Sequence, residues 1–322
     1  DTDRSRGLGD VYKRQISPLA DEVPPDEVGA LLSSYRRRQR FHQLKDGTLV
    51  KLSGANLSTL DRLASDLDLS EQQLNSGLIE LPGGRAFLLD GELPDDGSDV
   101  VKDASFTEYI DDLKIIDPKS YEVPDSLKHI LRPYQVEGFQ WLNTLCDKGF
   151  GGILADEMGL GKSVQLIALL LSRYQRNTGE MGNGSLGPSL IVCPASLVYN
   201  WGAEFTKFAP SFNAVVVAGT KAERRTAIGR AFRADEPTVL ITSYDLLRRD
   251  VDDYTANEQR FNVMALDEAQ YIKNHTTKIA KAVKAVAADH RFALTGTPIE
   301  NRLSELWSIF DFLMPGLLGS YK

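Results

Sequence analysis

Short apolar runs alternate with helical segments along residues 127–322, and this alternation constrains the fold more than any other feature of the sequence. The runs SLIVCP, FNAVVVAG, TVLITSY, FNVMALDEAQ and RFALTGTP follow one another with helical segments between them, at a spacing of about 30 residues. Strands that alternate with helices in this way favour a parallel sheet with helices on both faces. The sequence therefore predicts an α/β fold in which ligands bind at the carboxyl ends of the strands.

The segment DEMGLGKS, which begins at Asp156, partly fits the phosphate-binding pattern G-x-x-x-x-G-K-[ST]. The first position holds aspartate instead of glycine, so a chance GKS in a loop is the alternative interpretation. Gly159 and Gly161 let backbone N–H groups face an anion, and the helix that follows directs its positive end toward phosphate. Lys162 can reach the β- and γ-phosphates, and the Ser163 hydroxyl can hold magnesium.

A second candidate site segment, ALDEAQ, ends the apolar strand FNVMAL. It would place Asp267 beside a magnesium ion and Glu268 beside an attacking water. The alternative for an Asp-Glu pair is a solvated loop. The GKS, DEAQ and TGT segments all follow strand-like runs, so we expect them to converge on one crevice of the sheet.

Composition excludes several classes of protein. The two cysteines, Cys146 and Cys193, are too few for a disulfide framework, which indicates a cytosolic protein. No apolar run approaches the roughly 20 residues that a membrane-spanning helix needs. The four histidines are scattered through the 322 residues, so we expect no metal held by protein ligands alone.

Charge is distributed unevenly along the chain. Residues 16–124 carry 21 acidic and 11 basic residues, whereas residues 125–322 carry 21 acidic and 22 basic residues. The second part can therefore still offer a basic groove to nucleic acid. Residues 16–118 read as a small mixed α+β domain, with a hairpin turn at Asp46-Gly47 and a helix in LSTLDRLASDLDL. Its basic run (Arg36, Arg37, Arg38, Arg40) either contacts nucleic acid or, as is more usual, forms a solvated face.

Residues 1–15 stand apart from the rest of the chain. The segment SRGLGDVYKRQ is basic, has no apolar period, and resembles a translated sequencing adapter. A disordered natural tail is the alternative. We therefore exclude residues 1–15 from the fold, expect them to be disordered, and expect the chain to be a piece of a longer protein.

Six motifs in order resemble the first motor lobe of the Swi/Snf-type ATPases, a branch of the superfamily-two helicases. They are LRPYQVEGFQWL, ILADEMGLGKSVQLIALL, LIVCPASLVYNWGAEFTKF, VLITSYDLLRRD, ALDEAQYIKN and ALTGTPIENRLSELWSIFDFLMPGLLG. The resemblance implies a RecA-like doubly wound sheet over residues 127–322, after a linker at residues 119–126. It also explains Asp156, because family members commonly have aspartate there, whereas Ser163 stands where threonine is usual. Residues 30–120 resemble, less sharply, the helicase-associated region of bacterial members.

The resemblance implies a role for each matched residue. The implied catalytic residues are Lys162, Asp267 and Glu268, with magnesium held by Ser163 and Asp267. The implied ATP-binding residues are Arg132, Gln135, Asp156, Gly159, Gly161, Lys162 and Ser163, with Gln135 reading adenine. The implied contacts to the DNA backbone are Pro194, Ala195, Ser196, Thr242, Ser243 and Tyr244, and the residues that couple ATP state to DNA grip are Thr295, Gly296 and Thr297. Tyr134 has an equally good explanation in packing, and Trp201, Trp307 and Cys193 are expected to be core residues.

The predicted function is that of the front half of an ATP-dependent duplex-DNA translocase, with ATP and magnesium as cofactors and a cytoplasmic, nucleoid-associated location. Its partners would be duplex DNA, bound without sequence preference, and DNA-bound proteins. A strand-separating helicase and a single-lobe regulatory ATP-binding module are the alternatives. The second lobe supplies arginines to the transferring phosphoryl group, so we expect residues 16–322 alone to bind Mg-ATP and to hydrolyse it poorly.

Overall fold

The computed structural model describes residues 12–15, 23–52, 55–67, 69–76, 78–81, 90, 107, 110–111, 121–157, 159–178, 186–256, 259–297 and 303–318. The chain divides into two compact units. The smaller unit comprises residues 1–115 with 316–322, and the larger unit comprises residues 116–315.

The smaller unit is a mixed α+β structure. Its elements are β1 (Tyr12–Gln15), α1 (Val28–Arg36), β2 (Phe41–Gln43), β3 (Leu49–Lys51), α2 (Ala55–Asp66), α3 (Glu71–Asn75) and β4 (Leu78–Leu81). Strands β2 and β3 form the predicted antiparallel hairpin, whose turn contains Gly47 at a φ of 93°. The predicted helix in LSTLDRLASDLDL is confirmed as α2, and its leucines, including Leu57 and Leu60, pack against Leu31 and Leu32 of α1.

One expectation for the amino-terminal residues is wrong. Residues 12–15, which we expected to be disordered, form β1 and pair antiparallel with β4. The ladder joins main-chain groups, so the unpaired edge of β4 accepts an extended segment whatever its side chains.

The larger unit is a parallel sheet that is wound on both sides. In chain order it contains α4 (Pro133–Asp147), β5 (Gly152–Leu154), α5 (Lys162–Thr178), β6 (Ser189–Cys193), α6 (Val198–Phe208), β7 (Asn213–Val216), α7 (Lys221–Ala231), β8 (Thr238–Ser243), α8 (Tyr244–Arg249), α9 (Val251–Tyr254), β9 (Phe261–Asp267), α10 (Lys278–Ala285), β10 (Ala288–Leu294) and α11 (Leu303–Leu313). The six strands lie in the order β5-β10-β9-β6-β8-β7, and every neighbouring pair is parallel. The predicted α/β fold class is confirmed.

Two hydrophobic cores lie on opposite faces of this sheet. In β6, Leu190 and Val192 belong to one core, whereas Ile191 and Cys193 belong to the other, as the alternation of side chains along a strand requires. Both faces are covered, so the strands are apolar along nearly their whole length, which is the pattern that predicted them. No helix in the described ranges combines the length and the apolar character needed to cross a bilayer.

A buried ion pair joins α7 to the end of α8. Arg224 donates from Nε to Asp250 Oδ2 at 2.5 Å and from Nη2 to Asp250 Oδ1 at 2.8 Å. The two side chains are 9% and 1% exposed. This two-pronged geometry fixes α7 against the helices that follow β8.

The candidate segments lie at one edge of the sheet, as predicted. Strands β5, β10 and β9 are neighbours, and the phosphate loop, the TGT segment and the DEAQ segment follow their respective carboxyl ends. The segments after β6 and β8 open on the same edge because all six strands run in one direction. The topology therefore builds the candidate site from five loops of one unit.

Candidate functional site

The phosphate loop is held in a defined conformation by its own lysine. Gly159 and Gly161 have φ values of 85° and 76°, which residues other than glycine rarely adopt. Lys162 begins α5 and donates from Nζ to the carbonyl oxygens of Asp156 at 2.8 Å and Glu157 at 3.2 Å. Its ammonium group therefore lies inside the curve of the loop, where a phosphate group would bind.

The aspartate at the first loop position has a structural partner that the sequence did not reveal. Gln165, which is fully buried on α5, donates from Nε2 to Asp156 Oδ2 at 2.8 Å. Gly138 of α4 leaves room for this amide, because a Cβ there would lie 1.9 Å from Gln165 Oε1. The sequence did contain one signal for this contact. Gln165 is a polar residue within the apolar face of VQLIALLL, and buried amides nearly always have a hydrogen-bond partner.

The start of α4 covers the phosphate loop. Gln135 accepts at Oε1 from the backbone N–H of Arg132 at 2.9 Å and donates from Nε2 to the Leu160 carbonyl at 2.9 Å. The Tyr134 hydroxyl donates to the same carbonyl at 3.0 Å. Gln135 and Tyr134 are thus fastened to the loop, and the Arg132 side chain is exposed beside them. That Gln135 and Arg132 read adenine stays a prediction.

Asp267 ends β9 with both carboxylate oxygens in hydrogen bonds. Oδ2 accepts from the indole N–H of Trp201 at 2.9 Å, and Oδ1 accepts from the backbone N–H of Glu268 at 3.0 Å. Burial raises the pKa of the Asp267 carboxyl above its usual value, and the Trp201 bond opposes this rise because it favours the ionised form. Trp201 is buried as expected, but it is also the neighbour that orients the predicted magnesium ligand.

Glu268 lies in a backbone conformation that non-glycine residues seldom adopt. Its φ and ψ are 54° and 55°, in the left-handed region. Such geometry persists only where the surroundings enforce it, and it clusters at functional sites. Here the enforcing contacts come from Tyr244, whose hydroxyl donates to the Asp267 carbonyl at 2.8 Å and whose ring stacks on that of Tyr271 with centroids 4.8 Å apart.

A short chain of hydrogen bonds joins Glu268 to the predicted coupling segment. Gln270 donates from Nε2 to Glu268 Oε2 at 2.7 Å, and its Oε1 accepts from the Thr295 hydroxyl at 3.0 Å. The Thr295 hydroxyl also accepts from the backbone N–H of Thr297 at 3.1 Å, which closes the turn around Gly296. The structure thus brings the coupling segment to the candidate catalytic glutamate, with Gln270 as the intermediate that sequence reasoning missed.

The two segments predicted to contact DNA differ in exposure. Ala195 and Ser196 are exposed and Pro194 is half-buried at the turn between β6 and α6. By contrast, Thr242, Ser243 and Tyr244 are 0%, 5% and 2% exposed, so their side chains lie beneath the surface, and contact of this segment with a DNA backbone stays a prediction.

The burial of this second segment has a structural cause. Strand β8 lies between β6 and β7 with cores on both faces, which encloses the Thr242 side chain. The Ser243 hydroxyl is used to cap α8, accepting from the Leu246 N–H at 3.3 Å. The side chains of these residues lie beneath the surface of the site and pack against the elements that form it.

The other residues expected in the core differ in surroundings. Cys193 is fully buried, and burial raises the pKa of its thiol to about 12, which leaves it an apolar group at neutral pH. Trp307 is half-buried, with its ring beside His275 and beneath the ammonium group of Lys284.

The donor set suits magnesium bound together with a nucleotide. Within the described residues, no group of three or more His, Cys, Asp and Glu side chains stands close enough to hold a metal ion. The Asp267 carboxylate and the Ser163 hydroxyl offer hard oxygen ligands, which magnesium takes along with phosphate oxygens and water. The positive charge of Lys162 is near enough to Asp267 to lower the pKa of that carboxyl slightly. An anionic nucleotide with magnesium therefore fits both the charges and the backbone of this site.

Comparison with known proteins gives two family matches. The SNF2-related domain matches residues 134–322, and the bacterial SNF2 helicase-associated domain matches residues 15–124. An uncharacterized ATP-dependent helicase of Mycoplasma pneumoniae is 45% identical over 230 residues, which cover 67% of this chain and 21% of that protein. The TATA-binding protein-associated factor MOT1 of Saccharomyces cerevisiae is 43% identical over 218 residues, which cover 65% of this chain and 11% of that protein.

A solved structure shows the same likeness. The Sulfolobus solfataricus SWI2/SNF2 ATPase core in complex with dsDNA is 42% identical with a TM-score of 0.53, covering 62% of this chain and 39% of that one. The chain thus spans about a fifth or less of the two curated relatives' length.

Proposed function

This chain belongs to the SNF2-related domain family, and from that premise we propose that it is the ATP-binding front half of an ATP-dependent duplex-DNA translocase of the Swi/Snf type. The observation that carries the proposal is that Lys162 follows β5 while Asp267 and Glu268 lie at the end of β9, so all three lie at the carboxyl ends of two parallel strands separated only by β10. A phosphate-loop lysine and an Asp-Glu pair in this arrangement serve phosphoryl transfer to water.

The residues of the site divide the work of ATP hydrolysis. The backbone N–H groups around Gly161 and the ammonium group of Lys162 bind the β- and γ-phosphates. Asp267 and Ser163 would hold magnesium, and the bound ion would neutralise charge that develops on the phosphate oxygens. Glu268 orients the attacking water and accepts its proton at a carboxylate oxygen. Its Oε2 is already aligned by Gln270, so little reorganisation is needed when water arrives.

Coupling to DNA would use contacts that run from this site to the coupling segment. Glu268, Gln270 and Thr295 are joined by hydrogen bonds of 2.7 and 3.0 Å, so a shift in one displaces the others. Ser196, with its neighbours Pro194 and Ala195, offers exposed contacts to a phosphate backbone at the same edge of the sheet. Contacts of this kind carry no base information, which suits a motor that moves along DNA of any sequence.

The decisive experiment measures nucleotide binding by the purified chain with a fluorescent ATP analogue, with and without magnesium. We expect Mg-dependent binding that Lys162→Ala weakens at least about a hundredfold, because the ion pairs to phosphate are lost. Lys278→Ala, at an exposed lysine of α10, is the matched control and should bind like the wild type. Glu268→Gln should keep binding in this chain, and it should abolish hydrolysis when it is placed in a protein that also carries the second lobe. Equal binding by the wild type and Lys162→Ala would refute the proposal.

A second experiment addresses DNA with the longer protein that contains this chain. We expect ATP-driven displacement of a triplex-forming strand from duplex DNA, which reports translocation without unwinding. Separation of the duplex strands would favour a strand-separating helicase instead. ATP binding without any DNA-stimulated hydrolysis would favour a regulatory module.

A further inference from the structure

We propose that the hairpin of the smaller unit carries a separate surface that binds the phosphate backbone of duplex DNA. This surface, here the hairpin face, consists of Arg37, Arg38, Arg40, Phe41, Leu49 and Lys51. It lies outside the nucleotide site and rests on the proposed function only in taking DNA as the track.

Positive charge is concentrated at the hairpin face against the trend of its surroundings. Residues 36–51 contain four arginines and two lysines with a single acidic residue, Asp46. These six are more than half of the 11 basic residues in residues 16–124, which carry 21 acidic ones. A local basic stripe on an otherwise acidic unit directs a polyanion to one place, because the rest of the unit repels it.

Most of these charges lack a partner within the part of the chain that the structure describes. Arg36 is paired with Asp61 at 2.6 Å, and Lys45 is paired with Asp26 at 2.7 Å. The remaining four, Arg37, Arg38, Arg40 and Lys51, are exposed, and none forms an ion pair with a described residue. Asp46, the acid in this stretch, accepts from the backbone N–H of Thr48 at 2.8 Å and serves the hairpin turn.

Two apolar side chains stand among these cations on the outward side of the hairpin. Phe41 is 54% exposed and Leu49 is 66% exposed. Phe41 pairs with Lys51 and Gln43 pairs with Leu49, so all four point to the same side of the ladder. The inward residues are anchored instead, since His42 Nδ1 lies 2.8 Å from the Ser34 hydroxyl and Val50 packs on the core of the unit.

The backbone at Arg38 adds an independent reason for a binding role. Arg38 follows the end of α1 with a φ of 58°, in the left-handed region where helix ends normally place glycine. Glu268 of the nucleotide site is the other non-glycine residue with positive φ in the described ranges. An arginine kept at a position that favours glycine, without a described partner, indicates a contact outside the chain.

The chemistry of the hairpin face favours a nucleic-acid backbone over an acidic protein. Its guanidinium groups match phosphate geometry, and its apolar side chains can lie against sugars between the phosphates. Contacts from these cations to phosphate oxygens carry no base information, so binding at this face would be independent of sequence. An acidic polypeptide is the competing occupant that the experiment must exclude.

The test measures binding of the whole chain to a short random-sequence duplex by fluorescence anisotropy, between about 50 and 200 mM KCl. The variant Arg37→Gln/Arg38→Gln/Arg40→Gln should weaken binding at least about tenfold near 100 mM salt and reduce the salt slope by up to about 2.7. The control Arg225→Gln/Arg230→Gln/Arg233→Gln removes the same charge from exposed positions on α7 and just after its end, and should have little effect. Equal affinity and slope for the wild type and the first variant would overturn the proposal.

Two further measurements distinguish a loss of DNA binding from a loss of folding, and a DNA partner from an acidic protein partner. Arg38→Gly relieves the backbone at a positive-φ position, so the melting temperature should stay or rise while DNA affinity falls. The triple variant at the hairpin face should bind Mg-nucleotide like the wild type, so failure of the proposed ATP site would be seen separately. If the triple variant at the hairpin face loses binding to polyglutamate but binds DNA as the wild type does, the proposal is overturned in favour of an acidic protein partner.

Discussion

Replacing Trp201 by phenylalanine tests the inference that this buried ring orients the magnesium ligand. The change keeps an aromatic ring in the core and removes the indole N–H that donates to Asp267 Oδ2 at 2.9 Å. The carboxylate then retains the backbone N–H of Glu268 as a described donor to its other oxygen. Burial already disfavours the ionised form of Asp267, so loss of this donor leaves the carboxylate both less favoured and less fixed.

The expected magnitude follows from the kind of bond removed. A hydrogen bond to a charged acceptor contributes about 1.5–3 kcal/mol, which corresponds to roughly a ten- to hundredfold change in an equilibrium constant. We expect the affinity for nucleotide with magnesium to fall by that factor. Affinity without magnesium should change much less, because the indole N–H of Trp201 bonds to Asp267 and not to a described residue of the phosphate loop.

The assay is titration of a fluorescent ATP analogue with and without magnesium. Trp141→Phe is the matched control, since Trp141 lies on α4, is 38% exposed, and contacts neither carboxylate. Urea unfolding of both variants separates a general loss of stability from the effect on metal binding. If Trp201→Phe and Trp141→Phe bind Mg-nucleotide with equal affinity, the reasoning about Asp267 is wrong.

Three further predictions concern side chains that are buried or half-buried. Burial and the charge of a neighbouring arginine lower the pKa of His290 to about 3. Below the ordinary histidine pKa the unfolded chain takes up a proton that the folded chain does not, so the free energy of unfolding decreases as the pH falls. Between pH 7 and 5, urea unfolding should show the wild type losing roughly 2 kcal/mol more than His290→Gln, and parallel losses would contradict this. Arg224→Met leaves Asp250 buried without its ion-pair partner and should lower the free energy of unfolding by about 3–5 kcal/mol. The double variant Arg224→Met/Asp250→Leu should regain much of this loss. A loss below about 1 kcal/mol in the single variant would refute the buried pair. Gln165→Met releases Asp156 and should weaken Mg-nucleotide binding about tenfold in the same titration, whereas unchanged binding would show that the loop keeps its shape without the amide.

Much of the larger unit was predictable because its signals are local. Short apolar runs separated by helices indicated the parallel sheet, and the direction of the strands then brought Lys162 and Asp267 to one edge. The hairpin of the smaller unit was equally predictable from the Asp46-Gly47 turn. In each case a few adjacent residues determine the backbone, and topology supplies the rest.

The contacts that tune the site were not predictable, because they join residues that are distant in sequence. Trp201 and Asp267 are 66 positions apart, and no adjacent residue in the sequence indicates the hydrogen bond between them. The burial of Thr242 likewise depends on which strands flank β8 and on helices that cover both faces. Periodicity locates strand ends well, but exposure at a strand end is decided by neighbours elsewhere in the chain.

The bonds from Lys162 to the carbonyls of Asp156 and Glu157 make nucleotide binding an exchange of partners. Two of the three N–H donors of the ammonium group already bond to carbonyl oxygens, so each of these donors that turns to an incoming phosphate exchanges one bond for another, and the heat released is the difference between the two. The same internal bonds hold Lys162 against the loop when no nucleotide is bound, so its ammonium group already lies at the phosphate position before binding.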